Sequence, residues 1–265
     1  MHKPLELPEL LKLLDERSSA FRDVVESAPD FDAQVPTCPE WTLLDLARHV
    51  GGGQRRWAAI VAAGPDADAP AKSSMQVGES APGNRAGLLA WLSESTRQLL
   101  DAVREVGPDR GCWTWWGDTE SPQTSGAAVR HQVQEAAVHT YDAQVTVGAP
   151  EQLPDEVAVD GVEEFMITCG TTTVPWPHEP GIVDVHVIDG PSWRVTLSAA
   201  GASVSPLPGS GSGASPEVVG VAAGSLRGTA SDLVLALYDR IPLDSLELGG
   251  DRRVIDLLRA WDMEP

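Results

Sequence analysis

Three side chains in the first half of the sequence have the types and spacing to grip one divalent cation. Glu135 and His139 stand four apart, so on a helix a carboxylate and an imidazole project from one face. His49 closes the amphipathic segment WTLLDLARH and could bring a third ligand across a helical core. A His/Glu/His set leaves one or more coordination positions free, which is the arrangement of a catalytic rather than a structural site. A water, a thiol or a substrate oxygen can fill the gap.

Plainer explanations compete. A Glu and a His four apart are commonly a solvated surface couple, and a lone histidine on an apolar face is commonly a hydrogen-bonded core residue. The neighbours Val133, Ala136, Ala137 and Val138 are apolar, however, and a carboxylate or imidazole buried among them needs a partner to offset its desolvation. His49 would supply it. His131 continues the stripe one turn earlier and could replace Glu135 or His139 as a ligand or support the site from outside it. Asp142 could orient His139 through the remaining ring N–H, or be an ordinary helix-surface carboxylate. Arg48 beside His49, and Arg55 and Arg56 one to two turns later, could attract an anion, but solvated helix arginines are the preferred reading of each. Cys38 has no basic neighbour in sequence to activate it and reads as inert. Trp113, Trp115 and Trp116 either wall a pocket or pack a bundle end.

The elements that must position these residues follow from periodicity. Leucines at helical spacing, then Phe21, Val24 and Val25, predict a first helix over Leu7 to Ser27. Thr42, with Asp45 three residues on, predicts the N-terminus of a second helix running to about Ala63. Gly51, Gly52 and Gly53 inside it each cost roughly 1 kcal/mol relative to alanine, which argues for a close helix contact or a local irregularity beside His49. Residues 64–83 read as a surface loop over the bundle mouth. Asn84 caps a third helix to Val106, and a fourth runs from Ser125 to about Val147. Short and medium loops make these an antiparallel bundle.

After a fifth helix over Asp155 to Cys169 the character changes. Val183 to Ile188 alternates with a strand's period, Asp189-Gly190 marks a turn, and Trp193 to Leu197 is the partner strand. Residues 205–215 form a Gly/Ser/Pro loop. A strand over Val218 to Leu226 and helices over Ala230 to Asp239 and Arg252 to Trp261 complete the chain. The expected division is a helical bundle over residues 1–173 and a small α+β domain over 174–265.

Composition bounds the function. Of 265 residues, 42% are apolar and 22% charged, which fits a folded globular protein. No apolar run approaches the roughly 20 residues that cross a bilayer, and the N-terminus lacks the pattern of a secretory signal, so a cytoplasmic protein without membrane contact is expected. Three widely spaced cysteines, Cys38, Cys112 and Cys169, read as reduced thiols. A net charge of −20 repels phosphate backbones, which disfavours nucleic acid as a partner.

Two stretches carry a resemblance. VPTCPEWTLLDLARHVG over residues 35–51 and VRHQVQEAAVHTYD over 129–142 resemble the signatures of the mycothiol-dependent maleylpyruvate isomerase family. The resemblance implies an α+β protein: a DinB-like four-helix bundle followed by a small sterol-carrier-like domain. GTASDLVLALYDR over 228–240 and GDRRVIDLL over 250–258 resemble that second domain, so the likeness covers nearly the whole chain. It implies that His49, Glu135 and His139 are the ligands of a divalent metal, with zinc the expected ion. It also implies mycothiol as thiol cosubstrate. Within the matched C-terminal segment, Arg240 is the arginine selected as catalytic. Two positions depart from the family pattern: Gln134 stands where a histidine often precedes the metal-binding glutamate, and Thr140 where an arginine often follows the second histidine.

The implied activity is that of a metalloenzyme in which a metal-activated thiol attacks an electrophilic small molecule, with cis–trans isomerization by thiol addition and elimination. The alternatives are a mycothiol S-transferase that keeps the conjugate, hydrolysis by metal-bound water without a thiol, and a non-catalytic metal- or ligand-binding protein. The expected partners are a small electrophile and a low-molecular-weight thiol, and the expected state is a monomer or homodimer.

Overall fold

The computed structural model describes residues 5–65, 81–208 and 220–261. They form two compact units: residues 5–117 with 122–153, and residues 118–121 with those from 154 onward. The first unit holds the helices α1 (Leu7–Ser27), α2 (Leu43–Ala63), α3 (Arg85–Val106) and α4 (Ser125–Thr146). α1 packs on α3 and α4, and α2 packs on the same two.

Side chains mark the helix boundaries. Thr42 and Asp45 close a reciprocal capping box on α2, while Asn84 and Thr124 accept from the first-turn amides of α3 and α4. α1 has no basic residue in its last turn. Arg85, at the start of α3, supplies the missing charge by donating to the carbonyls of Val25, Glu26 and Ala28 at 2.6–2.7 Å. One side chain thus ties the end of α1 to the beginning of α3.

Phe21, Val25, Leu43, Leu46, Leu88 and Leu92 belong to one apolar cluster between the helices. Each such leucine contributes about 1.5–3 kcal/mol by leaving water. A polar seam crosses the same interior: Gln54 donates to Ser18 at 2.9 Å and accepts from Thr96 at 2.9 Å, so all three buried groups find partners. The predicted close helix contact lies at Gly51, where a Cβ would come within 2.1 Å of the Trp91 ring on α3. Gly53 has open space around it and plays no such part. α4 is enclosed on every side. Its buried positions include Val129, His131, Val133, Ala137, His139 and Asp142, so this helix carries polar groups into the interior.

The second unit is built on a sheet of order β3-β2-β1-β4-β5. The strands are β1 (Gly181–Val187), β2 (Ser192–Ser198), β3 (Gly201–Pro206), β4 (Gly224–Gly228) and β5 (Glu247–Gly250), with α5 (Asp155–Thr168), α6 (Ala230–Leu237) and α7 (Arg252–Ala260). The predicted hairpin is present, with Asp189 at φ 57° in its turn, but it is only the middle of a larger sheet. β1 pairs in parallel with β4 on its other side. Arg194 and Asp184, directly opposite on β2 and β1, form a bidentate pair at 2.7 and 2.8 Å. Gly201 begins β3 at φ 107°, where a Cβ would lie 1.9 Å from the Thr172 carbonyl oxygen, so no other residue fits this approach.

Two expectations change. The fifth helix belongs with the sheet and not with the bundle, so the chain divides at Leu153–Pro154. α5 packs on α6, with the rings of Phe165 and Tyr238 at 4.9 Å, and Met166 faces Val183 and Val185. Of the strand predicted over residues 218–226, the observed β4 starts only at Gly224 and extends to Gly228, and residues 218 and 219 lie outside the described ones. Much of the loops predicted over 64–83 and 205–215 lies outside them too. No helix among the described residues is long and apolar enough to cross a membrane.

Candidate metal centre

α2 and α4 bring the predicted ligands together. Nε2 of His49 lies 3.5 Å from Oε2 of Glu135, and Nε2 of His139 lies 3.5 Å from the same oxygen. All three donor atoms fall within 4.8 Å of one another, and among the described residues this is the group of three that could hold an ion. Donors about 2.0–2.1 Å from a tetrahedral zinc stand roughly 3.3 Å apart, close to the two His–Glu edges of 3.5 Å. Two imidazole nitrogens and one carboxylate oxygen are also a donor set that zinc accepts. The residues present therefore fit a divalent ion.

The electrostatics fit as well. Burial works to raise the Glu135 carboxyl, but hydrogen bonding to His139 and His49 prevails and holds it well below the usual carboxylate range. Burial works to lower His139, but Asp142 and Glu135 overcome it and lift this imidazole to about 9. The centre at neutral pH is a carboxylate beside an imidazolium, and a cation bound at Nε2 would have to displace that proton.

His139 is held from behind. Its Nδ1 lies 2.8 Å from Oδ2 of Asp142, a fully buried carboxylate three residues further along α4. With the Nδ1 proton given to Asp142, Nε2 is left to face Glu135 and His49. Asp142 in turn accepts from Thr37 Oγ1 at 2.6 Å and from Cys38 Sγ at 3.8 Å. Trp41, on the same α1–α2 connection, lies over His49 with ring centroids 4.6 Å apart.

His131 stands apart from the triad. Its Nε2 is 3.7 Å from Oε1 of Glu135, the oxygen that does not face the other two histidines. Trp116, Trp115 and Trp57 surround its ring at 5.2, 5.6 and 6.5 Å. Trp116 is buried and Trp115 is half exposed. Arg56 follows His49 by two helical turns on the same face of α2. Burial lowers its pKa, the charge of Glu135 acts against that, and its Nε makes no hydrogen bond. Arg240 lies in the second unit, just past α6, where it donates to the Tyr238 carbonyl.

Sequence reasoning found the triad and the Asp142 contact. It gave no role to Thr37 or Trp41, and weighed Arg56 as an anion contact but preferred a solvated helix arginine. The Arg56 spacing from His49 is a sequence signal, whereas Thr37 and Trp41 reach the site from a connection whose path periodicity does not describe.

A four-helix bundle bearing a His/Glu/His cluster, followed by a small α+β unit, defines a two-domain α+β protein. Comparison with known families gives its place. The family model described as "Mycothiol maleylpyruvate isomerase N-terminal domain" matches residues 11–144, and the "MDMPI C-terminal domain" matches residues 156–257. The chain belongs to the mycothiol-dependent maleylpyruvate isomerase family. A crystal structure of a mutant of the mycothiol-dependent maleylpyruvate isomerase is similar in fold, with a TM-score of 0.59 at 15% identity over 92% of this chain and 93% of that one. No curated protein matches.

Proposed function

We propose that this chain is a thiol-dependent metalloenzyme that uses mycothiol to attack a small electrophile, with cis–trans isomerization as the reaction. The observation that carries the reading is the convergence of the donor atoms of His49, Glu135 and His139 within 4.8 Å of one another, in a chain of this family. A dication there would stabilise a bound thiol as its thiolate, giving a soft nucleophile at neutral pH.

The chain's own residues set the conditions. His49, Glu135 and His139 would hold the ion, Asp142 keeps the Nδ1 proton of His139 in place, and Trp41 packs against the His49 ring. The thiolate sulfur then adds to one carbon of a cis double bond conjugated to a carbonyl. The S–C bond forms as the π electrons move to the carbonyl oxygen. Rotation about the new single bond, return of those electrons and breakage of the S–C bond release the trans product and the thiolate. An S-transferase would stop after addition and protonation. Arg56, on the His49 face of α2, is the candidate contact for an anionic electrophile, and Arg240 is the proposed catalytic arginine.

Turnover of maleylpyruvate and a panel of electrophiles by the zinc-loaded protein, with and without mycothiol, tests the reading. A trans product formed only with thiol supports isomerization, and an accumulating conjugate would assign a transferase. Turnover without thiol would assign hydrolysis. Full metal loading with no reaction would leave a binding protein.

A further inference from the structure

The α1–α2 connection meets the metal centre at three side chains within five residues. Thr37 donates to Oδ1 of Asp142 at 2.6 Å, Cys38 approaches Oδ2 at 3.8 Å, and Trp41 lies on the His49 ring. The loop is itself fixed by backbone hydrogen bonds. Cys38 N donates to Val35 O, Trp41 N to Cys38 O, and Val35 N to Trp41 O, at 2.9–3.1 Å. It is therefore a closed turn and not a passive tether.

A carboxylate bonded to one histidine nitrogen can still rotate about its own axis. A donor on its second oxygen removes that freedom. Thr37 is that donor, 105 residues away in sequence, and the two bonds fix both oxygens of a carboxylate shut off from solvent. Fixing Asp142 fixes the plane of the His139 ring and so the direction in which Nε2 points. On the other ligand, Trp41 restricts His49 by contact with its ring face.

We propose that this turn is the positioning element of the metal centre, with Thr37 acting on His139 through the carboxylate of Asp142. The inference rests on the triad being a metal site. Partners of this kind behind a ligand alter metal affinity by about 10–100-fold when removed.

The test is zinc affinity by competition with a chromogenic chelator, joined to the visible absorption of the cobalt-substituted protein. Thr37→Val removes the hydroxyl and nearly keeps the shape, and it is expected to weaken zinc about tenfold and to shift the cobalt bands. Thr37→Ser restores the hydroxyl and is expected to bind and absorb like wild type. Equal affinity and spectra for Thr37→Val and wild type would overturn the proposal, as would a Thr37→Ser variant as weak as Thr37→Val. Circular dichroism of the metal-free proteins checks folding, and Thr37→Ala repeats the measurement should the valine variant misfold. Failure of wild type to take up zinc would overturn the metal reading itself, and this one with it.

Discussion

His49 and Glu135 come from different helices, 86 positions apart in sequence, yet their Nε2 and Oε2 atoms are 3.5 Å apart. That single approach converts a helical pair into a three-sided grip. The capping box of Thr42 and Asp45 sets where α2 begins, and so sets the helical phase that turns His49 toward α4.

Metal content separates ligands from neighbours. His49→Ala, Glu135→Ala and His139→Ala are each expected to lower zinc occupancy strongly, whereas His131→Ala is expected to keep it near the wild-type value. His131 meets the opposite carboxylate oxygen of Glu135 at 3.7 Å. Elemental analysis of the four purified variants beside wild type is the check, and equal loss in His131→Ala would move that histidine into the ligand set.

Metal uptake should release protons. With His139 lifted to about 9, most metal-free molecules carry that proton at pH 7, and the ion must displace it. Calorimetric titration in buffers of different ionisation enthalpy is expected to show about one proton released per ion. The same lift makes a stability statement. A histidine whose folded pKa lies above its unfolded value of about 6.5 stabilises the fold fully below that pH and loses the contribution as pH rises through 9. The metal-free protein should therefore lose stability across that window, and His139→Gln should flatten the trend in urea midpoints.

Two glycines in one helix should respond oppositely to alanine. At Gly51 the new methyl meets the Trp91 ring, which Arg55 also covers at 5.0 Å, so Gly51→Ala is expected to cost about 1–3 kcal/mol. At Gly53 nothing lies within 4 Å of the added carbon, and Gly53→Ala is expected to gain about 0.5–1 kcal/mol from helix propensity. Chemical unfolding of both variants measures the contrast.

Arg240→Ala and Arg56→Ala address anion recognition. If these guanidinium groups meet the substrate, each variant should raise KM about tenfold for a carboxylate-bearing electrophile and leave zinc content and the KM of an uncharged one unchanged. An equal change for charged and uncharged electrophiles would remove them from that role.

What the sequence discloses depends on how local the cause is. α1 to α4 are legible because their caps and apolar stripes act within a few residues, as Thr42 with Asp45 and Asn84 with Gly87 show. The pairing of Glu135 with His139 is legible for the same reason. β3 and β5 are not. Their sequences, GASVSP and ELGG, are poor in β-branched and aromatic residues, and they become strands only because β2 and β4 offer partners. The place of α5 is equally a matter of distant contact, through Phe165 on Tyr238. Thr37 follows this rule at the site, since locally it is just a threonine in a turn, and its partner Asp142 lies 105 residues away.

The three donor side chains differ in how deeply they sit: His49 is 36% exposed, Glu135 29% and His139 7%. If the cluster takes an ion, His49 is the ligand that water reaches most readily, while Glu135 and His139, four apart on α4, form the half of the site that one helix holds ready. A chelator that competes for such an ion would then be expected to meet it on the His49 side.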